Sequence, residues 1–183
     1  MSARVLVPLA AGFEEVEALT VVDVLRRVDI EVVTAGIEEG ICEGRSGIRV
    51  TPDTTLDAAL AGPPFDAIVL PGGMPASMTL REDARVTGAL ARAREEGKLI
   101  GAICAAPIAL AAAGVLAGEH FTSYPSMEPD LPSEGYRDDR VVVSGRLVTS
   151  RGPGTAMDFA IELVRQLIGT SSAEAVADEV LAS

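Results

Sequence analysis

The chain has 183 residues, enough for one domain with a sizeable core, and 48% of them are hydrophobic at a mean hydropathy of +0.32. A formal net charge of -12, with no basic stretch to offset it, argues against nucleic acid and against anionic membrane surfaces as partners. Trp is absent and aromatics make up 3%, so Val, Ile, Leu and Ala must fill the core. No apolar run reaches membrane-spanning length and the first residues lack an apolar signal region, so the expectation is a cytoplasmic protein with no membrane segment. Its two cysteines, Cys42 and Cys104, are expected to stay reduced.

In chain order, Arg4 to Leu9 reads as a first strand, and Ala10 to Glu17 as a loop entering a helix that runs to Val28. Val16, Leu19, Val22, Val24 and Leu25 supply that helix with an apolar face. Ile30 to Ala35 is a second strand. Gly36 to Gly47 carries turn residues and a small antiparallel excursion, and Ile48 to Thr51 is a further strand. Pro52 to Leu60 reads as a short capped helix, and Gly62-Pro-Pro64 breaks the chain before the strand Ala67 to Leu70. The turn Pro71 to Pro75 leads into helical segments up to Glu96.

Lys98 to Ile103 is a compact apolar run, read as a buried parallel strand, and Pro107 to Gly114 is Ala-rich and helical. His120 to Ser123 reads as an edge strand, the polar run Pro125 to Asp139 as a surface loop, and Val141 to Thr149 as a hairpin turning at Ser-Gly. Arg151-Gly-Pro-Gly154 opens an amphipathic helix ending at Ile168, and a last helix covers Ala173 to Leu181. Strands alternating with helices imply an α/β fold, a mostly parallel sheet covered on both faces, with residues 1–183 as one domain.

Cys104 falls where the central strand meets its helix. A thiol on such a turn faces the N–H groups and partial positive charge of a helix start, which favours thiolate, and the geometry is that of a nucleophile elbow. The alternative is a small buried hydrophobe. The carboxyl end of a central strand favours the functional reading, because open α/β sheets place their sites there. His120 has nothing that turns its ring toward this elbow, so a Cys–His pair is not expected.

The acidic candidates are Glu14, Glu15 and Glu17, on the same sheet edge as Cys104. Glu14 and Glu15 suit the first turn of the helix, and Glu17 is the one expected to be buried, where its raised pKa would let it donate to sulfur and exchange protons. Pro71-Gly72-Gly73 ends a strand beside the elbow, where its backbone N–H groups and that of Ala105 could form an oxyanion hole. Arg151-Gly152-Pro153-Gly154 opens a helix and could hold an anion. Neither glycine turn has a nucleotide-binding spacing, and two distant cysteines with one histidine support no metal site.

The segments Glu14-Glu-Val-Glu17, Val22-Asp-Val-Leu-Arg-Arg27, Val69-Leu-Pro-Gly-Gly73, Ala102-Ile-Cys-Ala-Ala-Pro107 and Thr149-Ser-Arg-Gly-Pro-Gly-Thr155, in this order, resemble the ThiJ/PfpI superfamily over nearly the full chain. Within it the chain is most similar to the DJ-1 (Parkinson disease protein 7) branch and its bacterial relatives. The resemblance implies a flavodoxin-like sandwich and a homodimer. It implies Cys104 as the reactive cysteine, Glu17 as its protonated hydrogen-bonding partner, and Gly72, Gly73 and Ala105 as backbone oxyanion donors.

The chain also departs from the family. Some members carry a histidine before the proline that follows the elbow, where this chain has Tyr124, so proton transfer falls to Glu17 and water. Tyr124 joins Arg151, Gly152 and Pro153 as candidates for lining the site. Ala105 replaces the histidine of the protease-like branch, which speaks against peptidase activity. The expected function is a cofactor-free glyoxalase or deglycase acting on methylglyoxal-type carbonyls or their early protein adducts. The alternative is a redox-sensing stress protein or chaperone in which Cys104 is oxidised to the sulfinate.

Overall fold

The fold is described from a computed structural model and covers residues 2–182. Strand β1 (Arg4–Leu9) is buried along almost its whole length and sits in the interior of a seven-stranded sheet. It is followed by α1 (Glu15–Arg27), β2 (Glu31–Gly36), a two-stranded hairpin of β3 (Cys42–Glu43) and β4 (Arg49–Val50), then β5 (Thr54–Thr55) and α2 (Leu56–Ala61). Next come β6 (Ala67–Leu70), α3 (Ala76–Glu82), α4 (Ala84–Glu95), β7 (Leu99–Ile103) and α5 (Pro107–Ala112). The chain ends with β8 (Val141–Ser144), β9 (Leu147–Ser150), α6 (Ala156–Ile168) and α7 (Thr170–Glu179).

The sheet order is β5-β2-β1-β6-β7-β9-β8. Every pairing in it is parallel except the β8–β9 hairpin at one edge. α1, α6 and α7 pack as one layer, while α2, α3, α4 and α5 form the other. This is the flavodoxin-like three-layer sandwich that the resemblance implies, with the strand order reversing direction between β1 and β6. Strands β6 and β7 are uninterrupted apolar runs because both of their faces are covered.

Gly101, in the middle of β7, lets α6 approach the sheet. A side chain there would begin 3.1 Å from Leu163 and Phe159 and 3.2 Å from Val69.

Several local expectations change. Val16 and Leu19 do not face the core; Val16 is 52% exposed, and the inward face of α1 is Glu17, Ala18, Val21, Val22, Val24 and Leu25. His120 to Ser123 is no sheet strand: Phe121 makes one isolated bridge to Tyr136, with their rings edge to face, and β8 takes the sheet edge instead. The strand expected at Ile48 to Thr51 is only the short arm β4 of the hairpin, and the other sheet edge is the two-residue β5. The helix expected from Pro52 starts at Leu56, after Thr55 caps it by accepting the Ala58 N–H at 3.3 Å. The last helix starts at Thr170 rather than Ala173, directly after Gly169 ends α6.

Gly101→Val is expected to lower the unfolding free energy by about 1–3 kcal/mol, since the added methyls must displace packed side chains. Chemical denaturation checks this, and an unchanged midpoint would contradict the close packing of α6.

Candidate functional site

The loops after β1, β6 and β7 meet at the carboxyl edge of the sheet, at the point where strand order reverses. Cys104 follows β7 directly and adopts φ 64°, an uncommon conformation for a residue with a side chain. Its backbone holds it there: its N–H donates to Ser150 O at 2.9 Å, and its carbonyl accepts the Tyr124 N–H at 2.8 Å. The strained turn aims the thiol away from the strand, as a nucleophile elbow does. Both cysteines are unpaired thiols.

Glu17 comes from the first turn of α1. Glu14 is the N-cap of that helix, its carboxylate accepting the Glu17 N–H at 2.9 Å, which fixes the turn so that Glu17 points inward. Glu17 is fully buried. One carboxyl oxygen, Oε2, accepts the Gly72 N–H at 2.8 Å; the other, Oε1, has no hydrogen-bond partner among the described residues. Gly72 lies between the two reactive groups: a side chain there would begin 2.6 Å from both Cys104 Cβ and Glu17 Oε2. Any larger residue at position 72 would therefore push acid and thiol apart.

The glycines divide their work differently from the expectation. The Gly72 N–H is bound to Glu17, so Gly72 is not available as an oxyanion donor. The N–H groups of Gly73 and Ala105 are the ones directed at the Cys104 sulfur. Gly73 adopts φ +96°, and a side chain on it would run into the backbone of Gly12 to Glu14.

Electrostatics reverse one expectation. Burial pushes the Glu17 carboxyl up to about 7, against the neighbouring Cys104 thiol and the Gly72 N–H, which favour its charged form. Burial also pushes the Cys104 thiol up to about 12, with the charge of Glu17 adding to it and the N–H groups of Gly73 and Ala105 opposing it. The helix start was expected to favour thiolate; desolvation and the adjacent carboxylate outweigh it. The two groups act on each other directly: the contact between thiol and carboxyl lowers the pKa of the acid and, with the charge of Glu17, raises that of the thiol. Above about pH 7 the pair thus holds one proton, which rests mainly on the thiol. Thiol with carboxylate and thiolate with carboxylic acid are two arrangements of that single proton.

Glu15 is buried as well, a role the sequence did not reveal. It accepts the N–H of Ser46 at 2.7 Å and of Ile48 at 3.4 Å, and these bonds hold its pKa below the usual value despite burial. The bonds tie the β3–β4 hairpin to α1. The Gly12 N–H to Glu43 O and Arg45 N–H to Phe13 O bonds tie it to the loop after β1. The hairpin thereby carries Arg45 to the site.

Above Cys104 opens a cavity of about 390 Å³ whose walls include Arg45, Met74, Tyr124, Met127 and Pro153. Of the four candidate lining residues, Tyr124 and Pro153 reach this cavity. Arg151 and Gly152 border an adjoining one with Tyr124. Arg151 is engaged by Asp138 and Gly152 donates to Thr155 Oγ1, so this loop offers no free anion cradle. His120 is exposed and lies against Arg137. Arg45, Met74 and Met127 were not singled out from sequence. Their only local signal was a turn or loop position, and what places them at the site is docking between distant segments. Among the described residues no group of three or more His, Cys, Asp or Glu could hold a metal ion.

The chain is similar to known proteins over nearly its whole length. The profile of the DJ-1/PfpI family matches residues 3–166. Protein dj-1beta of Drosophila melanogaster is 46% identical over 99% of this chain and 98% of its own length. A glutathione-independent glyoxalase of Caenorhabditis elegans, DJR-1.2, is 38% identical over 92% of this chain and 89% of its own. The solved structure of oxidised Toxoplasma gondii DJ-1 superposes with a TM-score of 0.94 at 37% identity, covering 98% of each chain. This chain belongs to the DJ-1/PfpI family.

Proposed function

We propose that this protein is a cysteine-dependent glyoxalase that needs no cofactor and converts methylglyoxal-type 2-oxoaldehydes into 2-hydroxy acids. The observation that carries the reading is a buried carboxyl with one unsatisfied oxygen beside a thiol on a strained elbow, with two N–H groups directed at the sulfur. The glyoxalase named among the relatives supports the same reaction class.

In this reading Glu17 takes the thiol proton and Cys104 Sγ bonds to the aldehyde carbon. The aldehyde oxygen becomes an oxyanion facing the Gly73 and Ala105 N–H groups, then accepts the proton back from Glu17 to give a hemithioacetal. Glu17 next removes the hydrogen on that carbon while a water gives a proton to the neighbouring carbonyl oxygen, forming an enediol. Glu17 then returns its proton to the second carbon as the hydroxyl on the first gives its proton to the hydroxide left by that water, which leaves a thioester. Water cleaves the C–S bond, releasing lactate from methylglyoxal and restoring the thiol. A pKa near 7 suits a group that must both accept and return a proton. Early hemiaminal adducts of protein side chains would enter the same sequence once the carbonyl is freed, which is the deglycase form of the activity.

The orphaned Glu17 Oε1 also favours a second use of the site. Two equivalents of peroxide would convert the Cys104 thiol to a sulfinate, reduced to water in turn, and a protonated Glu17 would donate to a sulfinate oxygen.

The exposed apolar residues Val16 and Leu19 on α1 and Ile41 and Ile48 on the hairpin suit the homodimer that the family resemblance implies. The Glu15 bonds to the hairpin hold α1 and Ile48 side by side, so they can act as one patch.

Purified protein given methylglyoxal without glutathione is expected to form lactate, and Cys104→Ser is expected to reduce the rate at least about a thousandfold. Equal rates in the two proteins would remove Cys104 from the mechanism. The pH profile of kcat/KM should fall on the acid side with an apparent pKa of about 7. Below that pH the pair holds two protons, leaving neither base nor thiolate, whereas above it the single shared proton gives a plateau. A flat profile from pH 5 to 8 would contradict this. In light scattering after gel filtration, the wild type should elute as a dimer and Val16→Glu with Leu19→Lys as a monomer; a monomeric wild type would rule out the patch as an interface.

A further inference from the structure

The Cys104 cavity is far larger than the substrate that its chemistry minimally requires. Given a water's share of about 30 Å³ in the liquid, a three-carbon dicarbonyl takes up on the order of 100 Å³; the cavity has about 390 Å³. The surplus space is walled mainly by apolar side chains, with Arg45 and Ser126 as the polar ones on its border. Met74 and Tyr124, each 48% exposed, are among the large hydrophobic side chains left open on the surface, and both line this cavity with Met127 and Pro153. The other exposed large hydrophobic side chains are Val16, Leu19, Ile41 and Ile48 on and beside α1 and the hairpin, and the scattered Val143, Ile168 and Leu181. Tyr124 is held in place: its N–H is bound to the Cys104 carbonyl, and its ring carbon Cδ2 lies 3.3 Å from where a Gly152 side chain would begin. A side chain at position 152 would displace the ring, so the wall is built against glycine.

If the aldehyde oxygen sits on the Gly73 and Ala105 N–H groups, as the proposed mechanism requires, the room left for the rest of the molecule is the part of the cavity lined by Met74, Tyr124, Met127 and Pro153, with Arg45 and Ser126 at its border. Methionine is suited to such a wall because its unbranched side chain adapts to different apolar shapes. We propose that the preferred substrates are 2-oxoaldehydes carrying a bulky alkyl or aryl group in place of the methyl of methylglyoxal, with Met74 and Tyr124 as the residues that set this preference. The proposal rests on Cys104 being the nucleophile toward 2-oxoaldehydes and names the class that the site selects.

The test reads adduct formation apart from turnover. Wild-type protein is incubated with methylglyoxal, with 4-methyl-2-oxopentanal or with phenylglyoxal. Alkylation of Cys104 by iodoacetamide is then followed by peptide mass spectrometry, and N-acetylcysteine corrects for the intrinsic reactivity of each aldehyde. The two larger aldehydes should protect Cys104 at about tenfold lower concentration than methylglyoxal, the scale on which an apolar pocket discriminates by added methylenes. The Met74→Ala, Tyr124→Ala double variant should bring that ratio below about two, and Met74→Leu should keep it. Both side chains are half exposed, and a thermal melt verifies that the variants fold. Equal protection by all three aldehydes in the wild type, or a preference unmoved in the double variant, overturns the proposal. Release of 2-hydroxy acid is measured in parallel. Selective protection without product would overturn the glyoxalase reading, and with it the substrate status of these aldehydes, while supporting Met74 and Tyr124 as the residues that select what binds Cys104; product without selectivity would overturn this proposal and support the glyoxalase reading.

Discussion

A carboxyl group with no access to water, bonded to the backbone of one strand end and set beside a thiol on another, is the constraint around which this site is built. Glu17 can occupy that place only because Gly72 has no side chain, because Glu14 caps the helix that carries it, and because the loops after β1, β6 and β7 end at one edge of the sheet. Burial then raises both members of the pair, so they cannot lose their protons independently. The consequence is a site with one mobile proton and two places to hold it. That property is what a reaction moving a proton between adjacent carbons requires.

The surrounding structure protects this arrangement. The elbow conformation of Cys104 is maintained by backbone bonds on both sides, to Ser150 and to Tyr124, so the strain is held by the sheet and by the loop beyond α5. The hairpin, anchored by Glu15, closes the other flank and brings in Arg45, whose charge lowers the Glu17 pKa and offsets a little of the burial effect. A second acid next to the first thus has a purely structural duty. Its hydrogen bonds keep it ionised, while its neighbour two positions on, with fewer donors, is raised.

Much of this was legible in the amino-acid order. The bounds of β1 and β6 follow from compact apolar runs and the elbow from a strand joined to an Ala-Pro helix start, while the burial of Glu17 was expected from an apolar side that included Val16, which faces outward. What was not legible depends on contacts between distant segments. The expected apolar face of α1 included Val16 and Leu19, but carboxylates can take inward positions when donors await them, and an apolar stripe then runs outward instead. Arg45 is a lone arginine in a glycine turn until the hairpin docks. The ionisation of Cys104 was read from the helix start alone, whereas desolvation and a neighbouring carboxylate, both products of the folded chain, decide its direction.

The shared proton is tested most directly by the titration of the Glu17 carboxyl itself, followed by carbon-13 NMR with labelled glutamate and assigned by comparison with Glu17→Gln. The account predicts a midpoint of about 7 in the wild type, with the resonance moving while Cys104 remains a thiol. A midpoint in the ordinary carboxylate range, near 4.5, would contradict it and leave the thiol without a partner able to take and return its proton.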